Sequence, residues 1–336
     1  TPRALISAMV DVIQPKPKQT IGDPACGTGG FFLATHNYIN ENYKLNPDQK
    51  KFLKEGTFHG VDLLPEVIRL CAMNMYLHGI GSEESQVRQD DSLIADSGDR
   101  FDIIMTNPPF GVKSTVKIFS DAGKVEKDKI SYERDDFWTT SSNKQLNFVQ
   151  HVKTILKVNG KCAIVVPDNV LFEGGDGEIV RKKLLEQFDL HTMLRLPTGI
   201  FYAGGVKANV LFFDKKPARE DGKPWTEKLW IYDLRTNMHF TQKEKKMTRA
   251  DLDDFVACYN AKNIQERKKT ERFKSFSYDD IIKRDKVSLD IFWLKDESLI
   301  DLENLPEPHV IADEIADNLE SALDSVNELR ENLKSK

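Results

Sequence analysis

Short apolar runs alternate with stretches of helical periodicity from the start of the chain to about Asp214, the pattern of a mostly parallel sheet covered on both faces. The runs predict strands at 20–23, 58–62, 86–90, 101–106, 162–167, 191–196 and 209–213, and the periodic stretches predict helices at 3–13, 31–42, 65–78, 144–157 and 177–188. Pro65 opens its helix and Gly79 follows its end, the usual punctuation. Only a glycine-bearing loop, 199–205, separates the last two strands. It is too short for a crossover helix, so the final strand should run antiparallel, at one end of the sheet. Residues 111–142 are polar and weakly patterned, and a loop of that length is expected to be a lid or a substrate-facing insert. Beyond Asp214 comes another strand, 229–234, and then charged helical stretches. In the tail, Ala312, Ile315, Leu319, Ala322, Val326, Leu329 and Leu333 form a heptad seam. About three heptads are marginal for a free helix, so the seam should pack on its own domain or on a partner helix. The expected organisation is an α/β domain over 1–215, an extension of it over 216–300 and a helical tail over 301–336.

A chain of 336 residues buries roughly three quarters of its unfolded surface, so its core needs neither disulfides nor metals. The four cysteines are scattered, without a C-x-x-C pair or ligand-spaced histidines, which argues for a reducing compartment and against zinc. No apolar stretch approaches the ~18 residues that span a bilayer, and no charged-then-apolar leader precedes the first strand. A soluble, cytoplasmic protein is expected. The chain starts at Thr1 rather than Met, as expected of a piece of something longer. Its net charge of -5 suits a protein that leaves most of any DNA grip to a partner. The basic clusters Arg181-Lys182-Lys183, 243–246 and Arg267-Lys268-Lys269 read as solvated faces more readily than as phosphate contacts.

Against that background two segments carry chemistry. Asp23-Pro24-Ala25-Cys26-Gly27-Thr28-Gly29-Gly30-Phe31 follows the first predicted strand, where α/β sheets hold ligands. Its glycines let backbone approach a ligand, and the amides opening the next helix face an electronegative group. A dinucleotide fingerprint needs glycine where Phe32 stands, and a P-loop needs Gly-Lys-Ser/Thr; neither is present. Asp23 repels phosphate but suits a cationic amine, so S-adenosylmethionine, with its amine and sulfonium, fits better than a nucleotide phosphate. Asp62, ending the second strand, suits ribose hydroxyls, and Asp91, after the third, suits the cofactor's adenine amino group. Each alone is ordinary turn chemistry; in series with Asp23 they outline a pocket that includes Ala25, Leu63 and Ser92.

Asn107-Pro108-Pro109-Phe110 ends the fourth predicted strand. The Asn107 carboxamide and Pro108 carbonyl offer two acceptors to an exocyclic amino group, and Phe110 offers a face for the ring that carries it. Pro108 and Pro109 stiffen the backbone. An aromatic amine is a weak nucleophile because its lone pair is delocalised; two hydrogen bonds from its N–H groups favour pyramidal nitrogen and aim the lone pair. Positioning then supplies much of the rate, with no strong base required before the new bond forms. Cys26 suggests covalent chemistry, but that needs a thiolate where Asn107 stands, and a packing role is expected instead. No metal is expected.

At these residues the sequence resembles the modification (HsdM) subunit of type I restriction-modification systems, among the N6-adenine DNA methyltransferases. The resemblance also rests on Thr1-Pro2-Arg3, Gly60-Val61-Asp62-Leu63, Asn74-Met75-Tyr76-Leu77-His78-Gly79-Ile80, Val166-Pro167-Asp168-Asn169-Val170-Leu171-Phe172, Leu196-Pro197-Thr198-Gly199-Ile200-Phe201 and Tyr232-Asp233-Leu234-Arg235-Thr236-Asn237. It implies a Rossmann-like S-adenosylmethionine-dependent fold, with cofactor contacts from Thr1, Pro2, Arg3, Thr28, Gly29, Gly30 and Asp62. It implies site-specific methylation of DNA adenine by a complex of two such subunits with one specificity subunit (HsdS), joined for restriction by a motor-nuclease subunit (HsdR). The tail would then meet helical spacers of the specificity subunit; the helical domain that family members carry before the Thr-Pro segment is not in this sequence. A duplex adenine must be flipped out to react, with Phe110 stacking on one face and Phe201 or Tyr202 on the other. The loop 172–177 has the glycines of either a hinge or a surface turn. The competing readings are methylation of glutamine side-chain amides in proteins, which uses a similar Asn-Pro-Pro-aromatic site, and a cofactor-binding scaffold without turnover.

Overall fold

The computed structural model describes residues 1–82, 84–111, 115–119, 125–129, 132–201, 206–238, 240–241 and 245–295. In chain order its helices are α1 (Arg3–Ile13), α2 (Gly30–Asn42), α3 (Pro47–Glu55), α4 (Pro65–Leu77), α5 (Lys144–Ile155), α6 (Asn169–Phe172), α7 (Asp176–Gln187), α8 (Asp253–Tyr259) and α9 (Tyr278–Ile282). The strands are β1 (Ile21–Asp23), β2 (Phe58–Asp62), β3 (Val87–Gln89), β4 (Phe101–Thr106), β5 (Thr115–Phe119), β6 (Val125–Lys129), β7 (Leu156–Pro167), β8 (Phe188–Arg195), β9 (Ala208–Lys215), β10 (Lys228–Asp233) and β11 (Phe273–Ser277). The tail at 301–336, with its heptad seam, lies outside the described residues, as does Tyr202.

Nine strands form one sheet in the order β11-β10-β8-β9-β7-β4-β1-β2-β3. Pairings from β3 to β7 are parallel, as is β8 with β10, while β9 runs antiparallel to both β7 and β8. The direction of β9 agrees with the short preceding loop, but its place does not: it lies inside the sheet rather than at an end. The reason is its alternation. Val210 and Phe212 enter the core cluster on one face, and Leu211 and Phe213 enter the cluster on the other, so an edge would leave too much apolar surface wet. β10 and β11 extend the same sheet beyond β8. One core is built with α1, α2 and α8, the other with α5, α7 and α9.

The insert after Phe110 contains the antiparallel pair β5–β6, separate from the main sheet. Arg181, expected on a solvated or phosphate-facing cluster, is instead 2% exposed and donates to the carbonyls of Val170, Glu173, Lys286 and Val287. Arg267 is likewise buried and donates to Tyr259 O at 2.7 Å. The loop at 172–177 is tied rather than free, because the Glu173 carboxylate accepts from Asn143 and Asn169. Across the carboxyl ends of β7, β8 and β10 and the amino end of β9, Arg235 makes paired bonds of 2.8 and 2.7 Å to Asp168 and reaches the carbonyls of Leu196 and Ala208. Among the described residues no helix is long and apolar enough to cross a membrane, and no group of three side chains could hold a metal.

Candidate active site

Both motifs emerge at the carboxyl ends of adjacent parallel strands, β1 and β4. After β1 the chain turns through bonds from Ala25 N to Asp23 Oδ1 (3.0 Å), Cys26 N to Val61 O (2.9 Å) and Gly29 N to Cys26 O (2.9 Å). Gly29 caps α2 at φ 78°, and a Cβ there would stand 2.9 Å from Cys71 Sγ. Gly27, at φ 54°, has open space where a Cβ would project, so its backbone faces the cleft directly. Asp62 ties β2 to this turn by accepting from Gly27 N at 3.1 Å and from Leu64 N at 3.2 Å. Asn74, on α4, donates to Thr28 O at 2.9 Å.

Asp23 is 3% exposed. Burial pushes its carboxyl up to about 7, and the charge of Asp62 acts in the same direction. The neighbouring Cys71 and burial push the Cys26 thiol far up, so Cys26 is no thiolate nucleophile and serves in packing.

Asn107 stands just past β4 and donates from Nδ2 to Thr1 Oγ1 at 2.8 Å. Its Oδ1 is buried and has no hydrogen-bond partner. The amide is thus anchored by its donor side and presents its acceptor side unmade, an arrangement that is costly unless a ligand completes it. Half-buried Phe110 packs edge-on against Phe201, with centroids 5.1 Å apart and planes at 84°. Their direct contact leaves no slot for a base between them, so Phe201 braces Phe110 and is not its facing stack.

A cleft of about 490 Å³ is lined by Thr1, Arg3, Asp23, Ala25, Gly27, Thr28, Gly30 and Asn107. Next to it, a recess of about 90 Å³ is lined by Ala25, Asp62, Leu63, Asp91, Ser92 and Pro109, together with Leu93, Tyr132, Lys144 and Phe148. Ala25 belongs to both. Asp91 accepts from Leu93 N at 2.9 Å and from the Tyr132 hydroxyl at 3.3 Å, and Ser92 Oγ donates to Pro24 O at 2.7 Å. Pro2, Gly29, Pro108 and Phe110 line neither cavity; Pro2 and Gly29 cap α1 and α2. Sequence reasoning did not single out the side chains of Asn74, Tyr132, Lys144, Gln145 or Phe148. Asn74 sits within a motif run, but nothing in its spacing shows that it reaches Thr28, 46 positions away.

Fold and site together define an α/β protein of the methyltransferase class, with a glycine turn and an Asn-Pro-Pro-Phe loop at adjacent strand ends. The chain belongs to the N-6 DNA methylase family, whose model matches residues 1–291. It is 37% identical to the StySPI methylase subunit of a type I restriction enzyme from Salmonella potsdam, over 99% of this chain and 68% of that protein. The EcoKI methylase subunit of Escherichia coli K12 is 36% identical over the same shares. The crystal structure of the EcoKI M protein superposes with a TM-score of 0.75 at 34% identity, covering 99% of this chain and 72% of that one. A chain solved in a study of complex assembly and conformational transition of the type I R-M system gives a TM-score of 0.72 at 26% identity, covering 100% of this chain and 66% of that one.

Proposed function

We propose that this chain is the modification subunit of a type I restriction-modification complex, moving a methyl group from S-adenosylmethionine to N6 of an adenine flipped from duplex DNA at a specific site. The observation that carries the reading is the unpaired acceptor Asn107 Oδ1, in the same cleft as the glycine turn and the buried Asp23. The residues fit the cofactor. A buried carboxylate suits its amine, open backbone at Gly27 suits close approach, and a recess combining Leu63, Leu93 and Phe148 with Asp91 suits an adenine ring with one amino group. When bound, the cofactor supplies an electrophilic methyl on sulfonium.

The chain's own residues do the rest. Asp23 and the turn Ala25–Gly30 hold the amino-acid end beside Thr1, Pro2 and Arg3, while Asp62, Leu63, Asp91 and Ser92 hold the nucleoside. Asn107 Oδ1 and the Pro108 carbonyl, which accepts no hydrogen bond among the described residues, take the two N6 hydrogens. Phe110 stacks on the base. Catalysis is then alignment of two bound reactants. The relatives are methylase subunits of type I restriction enzymes, and the net charge of -5 fits a complex in which a specificity subunit (HsdS), shared by two copies of this chain, reads the DNA. A restriction subunit (HsdR) joins them. Residues 1–215 form the catalytic domain, 216–300 its extension and 301–336 the tail that meets the specificity subunit. The setting is cytoplasmic.

Labelled cofactor and duplex DNA, given to the complex with its DNA-reading partner, test this. With Asn107→Ala, transfer should fall by roughly 100-fold or more while calorimetric cofactor affinity stays within about twofold. Undiminished turnover would overturn the role of Asn107, and label appearing in protein but not in DNA would overturn the substrate.

A further inference from the structure

α5 buries ten of its twelve residues, and three of the ten are amides. Gln145, Asn147 and Gln150 are each at most 1% exposed, in positions where a sheet-covering helix ordinarily places apolar side chains. Apart from one bond along the helix, from Gln150 Nε2 to Asn147 Oδ1 at 3.2 Å, their partners lie off α5. Gln145 Nε2 donates to the carbonyl of Pro109 and, at 3.4 Å, to that of Gly111. Asn147 Nδ2 donates to Ser141 O at 2.7 Å. Gln150 Oε1 accepts from the backbone of Trp138 (2.7 Å) and Thr139 (3.0 Å), and its Nε2 returns a bond to Thr139 O at 3.1 Å. One helix therefore grips the chain as it leaves the Asn-Pro-Pro-Phe loop and again where it returns at 138–141.

We propose that Gln145 is a positioning residue for methyl transfer, holding the acceptor loop by its carbonyls so that Pro108 and Phe110 meet the base in register with Asn107. The proposal rests on the reading of Asn107 given above. Neither Pro108 nor Pro109 has an N–H with which the loop could secure itself. The ring of Pro109 fixes φ, so the remaining freedom between the Pro108 carbonyl and Phe110 is rotation about ψ of Pro109. Fixing the Pro109 carbonyl removes that freedom, and Gln145 fixes it. Gln145 itself lines neither the cofactor cleft nor its recess, and its side-chain bonds go to the acceptor loop, at the carbonyls of Pro109 and Gly111. Its own Oε1 is buried without a partner. An amide with one side unmade is a costly core residue, as expected where donation to the loop, and not packing, is what keeps it there.

The test uses the complex with its DNA-reading partner and single-turnover transfer to duplex DNA. Gln145→Met keeps the volume and removes the donor; the rate should fall at least tenfold while cofactor Kd stays within about twofold. Gln145→Glu turns the donor into a carboxylate facing two carbonyls and should lose more at pH 8. A carboxyl buried there titrates well above its usual range, and its protonated form again donates one bond. The rate of Gln145→Glu relative to the parent should therefore recover several-fold between pH 8 and pH 6, a change that simple loss of packing does not produce. A flat ratio overturns the proposal, as does a Met variant with the parent rate; if the Met variant does not fold, the pH profile decides alone. Asn107→Ala assayed in parallel separates the two readings: if it is inactive while both Gln145 variants are normal, only the positioning role is lost, and if it is active the acceptor-site reading itself fails.

Discussion

At Asp23 the carboxyl sits near a pKa of about 7, against an ordinary 3.8, because burial disfavours its charge. The folded protein consequently holds this proton over a range, from about 4 to 7, in which the unfolded chain has released it. The contribution of Asp23 to stability therefore declines as pH rises through that window, and the penalty is complete above it. A bound cation reverses the preference by favouring the ionised form. Cofactor affinity should accordingly weaken as pH falls below about 7, and binding near neutrality should expel a proton, measurable by calorimetry in buffers of differing ionisation enthalpy. With Asp23→Asn the ligand-free protein should melt higher at pH 8 and bind cofactor at least tenfold more weakly. An Asn variant with unchanged affinity and no loss of proton release would remove Asp23 from the amine site.

Among the elements, α4 supports the glycine turn through Asn74, which also lines the cleft. It faces solvent over much of its length, with Leu70, Met73 and Leu77 exposed, yet Asn74 reaches inward to hold Thr28 O. Asn74→Ala should loosen the turn and weaken cofactor binding about three- to tenfold, with the rate at saturating cofactor little changed; a lower saturated rate at unaltered affinity would contradict this. Such links mark the limit of what sequence periodicity reveals. β4 and the second half of β7 were legible from the apolar runs at 103–105 and 162–166, and the glycine turn and the Asn-Pro-Pro-Phe loop because few other chemistries use those residues at strand ends. The amides of α5 were not legible, since Gln and Asn on a helix look like a solvated face until the helix is known to be buried. β7 starts already at Leu156, inside what helical periodicity assigned to the preceding helix, because the two patterns share their apolar residues at the junction. The apolar residues on both faces of β9 suit an interior place, but which strands flank it depends on the rest of the chain.

For the whole molecule, the two halves of the sheet are joined at their functional edge by Arg235 and Asp168. Burial alone would raise the Asp168 carboxyl, but the hydrogen bonds and charge of Arg235 prevail and hold it below the ordinary carboxylate value. Its stabilising effect is thus present above about pH 4 and is lost as pH falls through the lowered pKa. Arg235→Met would strand a largely buried carboxylate and should cost about 3–5 kcal/mol in urea unfolding, with part of that deficit vanishing in acid. A change under about 1 kcal/mol would show the pair to be incidental to the fold.

An empty Asn107 oxygen is, in the resting protein, a defect that leucine would mend by about 1–3 kcal/mol. A lineage released from the need to modify its DNA would gain by erasing it, so an asparagine kept at this position across descendants would be a record of continued use. Decayed copies should announce themselves here first, while their sheets remain intact.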